Sequence, residues 1–163
     1  MTIILKNKDT LAYKEFEFKC SIGKNGLTQN KIEGDRKTPK GIFTLGPLFF
    51  RKDKYKFLET RLRKIAITKK MAWCDDPKSH KYNKLVQIKK TFSFEKLFRK
   101  DYKYDLLIPI NYNTKKTKPN LGSAIFIHLT KNEQPTLGCI ALRELDFLIL
   151  IKLITKKTKI KII

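Results

Sequence analysis

Arginine is scarce in this chain. Of 37 basic residues only Arg36, Arg51, Arg61, Arg63, Arg99 and Arg143 are arginine, and the rest are lysine. A dedicated nucleic-acid reader draws on the planar guanidinium fork, which suits phosphate and guanine. The net charge of +22 therefore reads as a lysine-rich surface. It predicts weak, salt-dependent attraction to polyanions such as nucleic acid, anionic lipid or cell-wall polymer. Cysteine is equally sparse. Cys20, Cys74 and Cys139 are an odd number without CxxC spacing, and only His80 and His128 stand beside them as further ligands. That argues against a zinc site and against a disulfide framework, and neither metal nor cofactor is expected. Long apolar runs are missing too. The segment Met1–Lys8 is too short for a signal peptide. Phe147–Ile154, broken by Lys152, falls far short of the roughly 20 residues that span a bilayer. No membrane span and no evident export route are expected.

What is present argues for a folded chain. An apolar content of 41% with 11 Phe and 6 Tyr opposes disorder. With 163 residues and no repeat or low-complexity linker, one domain over 1–163 is expected, as a monomer. Residues 3–5 read as a first strand. Phe16, Phe18, Cys20 and Ile22 share one face of the next, against Glu15, Glu17, Lys19 and Ser21. That period of two marks a half-buried strand and makes Cys20 a core residue. Gly23-Lys-Asn-Gly26 is turn chemistry, and Glu33–Phe43 is a rigid loop delivering Ile42 and Phe43 into another strand. Residues 64–68 read as a strand and 94–98 as a short helix. Residues 104–110 read as a strand placed by Pro109 near an edge or a bulge. Lys159–Ile163 alternates as a closing strand.

Between the strands lie the residues that carry chemistry. Met71–Pro77 reads as a loop in which Trp73 either lines a cleft or is capped by a turn. Cys74 beside Asp75 and Asp76 is poorly placed as a nucleophile, because carboxylates disfavour the thiolate. His80 reads as a solvated loop residue. Residues 124–130 are apolar on both faces, which makes them a central strand and encloses His128 at its end. A lone histidine there is ordinarily structural, and a lone cysteine is ordinarily a small core hydrophobe. The pairing changes that balance. His128 and Cys139 are eleven positions apart across a tight loop holding Pro135, Thr136 and Gly138, with a helix beginning near Arg143. Such a loop brings a base to a nucleophile. The pairing, with a helix N-terminus nearby, is expected to raise the thiolate fraction.

The string Thr38-Pro39-x-Gly41-x-Phe43, followed by Ile127-His128 and Thr136-x-Gly138-Cys139, resembles the L,D-transpeptidase catalytic domain, the YkuD family. The resemblance covers the whole chain, including Gly34-Asp35, Trp73–Pro77, Tyr82-Asn83, Tyr104-Asp105 and Gly122–Phe126. It implies a mainly β fold, a β-sandwich with short helices and a helix after the catalytic cysteine. It also implies attack by Cys139 on a peptidoglycan stem peptide, with His128, Gly138 and Thr136 in the catalytic group and Trp73 and Tyr104 lining the substrate cleft. The family's substrate implies the cell envelope or periplasm as location, with the cytoplasm as the alternative in the absence of a signal peptide. Leu137 stands where many members have histidine, and Ala141 where arginine often follows the cysteine. Three activities follow as expectations: a transpeptidase, an L,D-carboxypeptidase or endopeptidase on the same site, and a non-catalytic basic module binding anionic polymer.

Overall fold

A computed structural model describes residues 1–163. The strands run β1 (Thr2–Leu5), β2 (Thr10–Tyr13), β3 (Phe16–Ser21), β4 (Leu27–Thr28), β5 (Thr38–Pro39), β6 (Gly41–Thr44), β7 (Leu48–Phe50) and β8 (Lys64–Ala66). They continue through β9 (Met71–Cys74), β10 (Leu85–Gln87), β11 (Phe94–Lys96), β12 (Leu106–Pro109), β13 (Phe126–Leu129) and β14 (Ile140–Leu142). A single helix, α1 (Glu144–Leu153), precedes β15 (Lys159–Ile162). Ten strands make one curled sheet in the order β6-β15-β1-β2-β3-β14-β13-β12-β7-β8. A second sheet, β10-β9-β11, packs beside it, and β4 pairs with β5 alone. The architecture is mainly β, of β-sandwich type, with one helix rather than several.

Both faces of the centre of the large sheet are buried, which is why β12, β13 and β14 read as apolar runs broken only by His128. Leu106, Ile108, Ile127, Leu129, Ile140 and Leu142 turn to the larger core, where Phe147, Leu150 and Ile151 of α1 meet them. Leu107 and Phe126 turn the other way, toward Phe49, Trp73, Leu97 and Tyr104. Arg143 stands at the N-cap of the helix but supplies no side-chain cap. Glu144 and Asp146 in the first turn and Lys152 in the last complement the helix dipole.

Three local expectations are corrected. Residues 94–96 form β11, not a helix. Five residues without a cap cannot nucleate one, and Phe94, Glu95 and Lys96 instead pair with Cys74, Trp73 and Ala72. Residues 71–74 form the strand β9 rather than a loop, so Trp73 stands on a sheet. Pro109 does not mark an edge: β12 lies between β13 and β7. Proline is tolerated there because it is the strand's last residue, opposite Phe126, and its carbonyl still accepts from the Gly46 N–H at 2.8 Å.

Phe147 is fully buried where α1 meets the sheet. Phe147→Ala is expected to cost about 3–5 kcal/mol of unfolding free energy, read from urea denaturation midpoints at unchanged m-value.

Candidate active site

Strands β13 and β14 run parallel, with Ile127 opposite Ile140 and His128 opposite Ala141. Extending that register by one residue sets Phe126 level with Cys139. Partners in a ladder share a face, and residues two apart share a face. His128, Ala141 and Cys139 therefore all project to the same side, and all three line one cavity of about 1190 Å³. The two residues that the sequence pairs as candidate base and nucleophile both line that cavity, with no hydrogen bond between them. Tyr104 lines the same cavity, with its ring edge-on to His128 at 5.4 Å between centroids. Trp73 packs behind the wall, edge-on to Phe126 at 5.1 Å, and its Nε1–H donates to Asn83 Oδ1 at 2.9 Å.

The loop before Cys139 is held by Thr136. Its N–H donates to the Ile22 carbonyl at 2.8 Å, and its hydroxyl donates to the Cys139 carbonyl at 2.6 Å. That hydroxyl also accepts the Gly138 N–H at 3.1 Å. Gly138 has φ of 139°, and a Cβ there would lie 3.0 Å from the Lys37 carbonyl oxygen. Glycine is thus required by the chain's own packing as well as by conformation. Leu137 between them is 77% exposed at the cavity rim. At the loop's start, Glu133 pairs with Lys19 and with Arg143, tying the loop to β3 and to the head of α1.

Cys139 is 8% exposed, and its thiol is buried. It accepts the Phe126 N–H and donates to the Ala124 carbonyl, both at 3.3 Å. Burial, with the Glu95 carboxylate adding to it, pushes the Cys139 thiol up to about 12, against smaller opposing effects of the Phe126 N–H and the buried Lys31 ammonium. This overturns the expectation of a raised thiolate fraction. Desolvation outweighs the favourable groups, and α1 starts only at Glu144, beyond β14, where its N-terminus does not reach the sulfur. His128 is 6% exposed, and its burial brings the imidazole down to about 4. Its Nδ1 lies 2.9 Å from the Leu129 carbonyl oxygen. A carbonyl can only accept, so Nδ1 carries the proton and Nε2 the lone pair. At neutral pH the two groups are a thiol and a neutral imidazole.

Several residues around the cavity are not singled out by sequence. Glu33 accepts from the Ser123 hydroxyl at 2.7 Å and from Tyr82. Tyr104 donates to Glu95 at 2.5 Å. Arg36, Lys96, Arg99 and Lys103 supply positive charge to the lining. Lys31 is buried behind Gly138 and is held by Asp35. Asn83 joins Trp73 to Ala124. Glu33, Glu95, Lys31 and the lining cations are single polar residues among many in a lysine-rich chain, and only the fold distinguishes them, whereas Asn83 and Tyr104 stand in stretches that the family resemblance covers. Cys20 is a core residue, with its thiol also pushed up to about 12 by burial, and His80 is exposed, as read from sequence.

The family described as the L,D-transpeptidase catalytic domain (YkuD) matches residues 1–162. No curated protein matches the chain. Among solved structures it is similar to the helical cell shape determining protein Pgp2 from Campylobacter jejuni, at 20% identity and a TM-score of 0.51. That match covers 99% of this chain and 46% of the other. It is also similar to Bd1075 of Bdellovibrio bacteriovorus, at 17% identity and a TM-score of 0.49, covering 99% of this chain and 47% of that one. The likeness to Pgp2 is one of fold, and the chain spans about half the length of these structures.

Because His128 is lowered from 6.5 to about 4 in the folded chain, the unfolded chain binds the extra proton first as pH falls. The stability contributed by the neutral ring is complete above pH 6.5 and is lost as pH drops toward 4. The loss is expected to be on the order of 3 kcal/mol and to be absent from His128→Gln, as read from urea denaturation across that range.

Proposed function

The chain belongs to the L,D-transpeptidase catalytic domain family, and from that membership we propose that it is a cysteine acyltransferase acting on peptidoglycan stem peptides. The observation that carries the reading is the placement of Cys139 and His128 on one face of β13–β14, in one cavity, with the imidazole oriented by the Leu129 carbonyl.

In the proposed reaction the Cys139 sulfur attacks the carbonyl carbon on the carboxyl side of an L-centre in the stem peptide. The thiol proton passes to His128 Nε2 as the S–C bond forms. A base so positioned contributes on the order of 10²–10⁴ in rate. The Cys139 N–H is the proposed donor to the tetrahedral oxyanion, since the Gly138 N–H is already held by Thr136 Oγ1. Loss of such a donor costs roughly 10²–10³ in turnover. The C–N bond then breaks, and His128 returns the proton to the departing amine of the terminal D-alanine. A second stem's amine attacks the thioester, gives its proton to His128, and the sulfur leaves to be reprotonated. Water in place of that amine makes the same acyl-enzyme a carboxypeptidase or endopeptidase.

A thiol and a neutral imidazole suit this scheme, because the proton moves only when the substrate carbonyl is there to receive the sulfur's electrons. Among the lining cations, Arg36 and Lys103 suit the carboxylates of a stem peptide, and Tyr104, its hydroxyl held by Glu95, adds its ring to the wall. Action on this substrate sets the protein's work in the cell envelope.

Intact-mass and peptide-mapping mass spectrometry after incubation with purified muropeptides or a carbapenem tests the reading. An adduct on Cys139 is expected in the wild type and none in Cys139→Ala, with the variant's melting temperature retained. An added amine recovered in the product identifies transfer, and free tetrapeptide-minus-alanine identifies hydrolysis. Full turnover by Cys139→Ala sinks the proposal.

A further inference from the structure

Ala124 stands at the entry to β13 with φ of 52°, in the left-handed region that residues other than glycine seldom occupy. Its carbonyl accepts the Cys139 thiol proton at 3.3 Å, and two residues on the Phe126 N–H donates to the same sulfur at 3.3 Å. The turn at Ala124 thus orients both groups that touch the sulfur. A non-glycine residue in this region is strained and persists only where its surroundings hold it.

The holding group is the Asn83 carboxamide. Asn83 Oδ1 accepts the Ala124 N–H at 3.1 Å and the Trp73 Nε1–H at 2.9 Å. Asn83 Nδ2 donates to the carbonyl oxygens of Tyr112 at 3.0 Å and Asn113 at 2.8 Å. All four hydrogen-bonding positions of the amide are used, and the residue is 4% exposed. Trp73 in turn packs against Phe126, so the amide and the indole brace both ends of the Ala124–Phe126 segment. The amide does not touch the sulfur, and it meets the cavity lining only at the Ala124 N–H. Its reach to the chemistry is through the backbone of Ala124.

We infer that Asn83 is a positioning residue for Cys139: by fixing the left-handed turn at Ala124 it sets where the acceptor of the thiol proton lies, and so the direction in which the sulfur meets substrate. The inference rests on the reading of Cys139 as the nucleophile. Its consequence has two opposite parts. The Ala124 carbonyl bonds to the neutral thiol, so releasing it favours the thiolate, while Phe126, held by its pairing with Pro109 in the β12–β13 ladder, keeps its N–H on the sulfur. The same release lets the sulfur leave its fixed direction, which acyl transfer needs and a small alkylating agent does not.

The test is a double-mutant cycle with Ala124→Gly, because glycine takes the left-handed turn at no steric cost and has less need of the amide. Alkylation of Cys139 by iodoacetamide is followed by peptide mass spectrometry, site by site, from about pH 6 to 9. Asn83→Ala is expected to speed alkylation about tenfold at every pH, equivalent to about one unit in the thiol's titration. It is expected to slow transfer from a muropeptide by about tenfold. In the Ala124→Gly background the same change is expected to alter alkylation by less than about twofold. An unchanged alkylation rate in Asn83→Ala overturns the inference. So does an effect of equal size in both backgrounds, since the amide would then act only through Trp73 or the 112–113 segment. Should Asn83→Ala not fold, Ala124→Val opposes the turn directly with a β-branched side chain and must speed alkylation in the same direction; an unchanged rate overturns the inference. Absence of muropeptide turnover in the wild type removes the functional reading alone, and the alkylation cycle still decides the role of Asn83.

Discussion

The parallel pairing of β13 with β14 is the constraint on which the site depends. In a parallel ladder a slip of one residue sends every side chain of a strand to the opposite face. With Ile127 opposite Ile140, the apolar residues Ile127, Leu129, Ile140 and Leu142 enter the large core together. His128 and Cys139 are then turned to the cavity as the necessary complement. The core's demand for those four side chains therefore fixes the chemistry on the other side of the sheet. A parallel pair needs a crossover, and here it is a ten-residue loop, 130–139, with no helix of its own. Thr136 compensates by linking that loop to Ile22 on one side and to the Cys139 carbonyl on the other.

Burial dominates the electrostatics around the reacting pair. The sulfur has a backbone N–H and the Lys31 ammonium in its favour, yet desolvation and the Glu95 charge prevail. Desolvation lowers the imidazole most, the hydrogen bond to the Leu129 carbonyl is the largest opposing influence, and Lys103 and Arg99 add smaller lowering effects. Both groups are pushed toward their uncharged forms, so the resting site carries no thiolate–imidazolium pair.

Much of this was legible in the sequence where side chains alternate or punctuate. Phe16, Phe18, Cys20 and Ile22 announced β3, the apolar run at 124–130 announced the central strand, and the acidic start after Arg143 announced α1. The Gly-Cys loop with its upstream histidine named the candidate pair. What was hidden is non-local. Residues 94–98 have no strand period of their own, and 94–96 become β11 only because β9 offers an edge. Burial of Cys139 depends on Tyr104, Trp73 and Phe126 arriving from three separate strands or loops, so the direction of its titration could not be read from neighbours in sequence. Asn83 and Ala124 are ordinary residues by type, and their left-handed conformations are properties of the fold.

The small sheet β10-β9-β11 forms the far wall of the cavity through Phe94, Glu95 and Lys96. No backbone hydrogen bond joins residues 69–98 to the large sheet. The attachment is made by side chains: Trp73 on Phe126, Tyr104 to Glu95, Tyr82 to Glu33, and the Asn83 amide. That wall is therefore mortared rather than woven. A bulky guest that forces it outward disrupts a few interdigitated contacts and leaves every ladder intact, so the breadth of the chamber is governed by side-chain size at those seams and not by strand length.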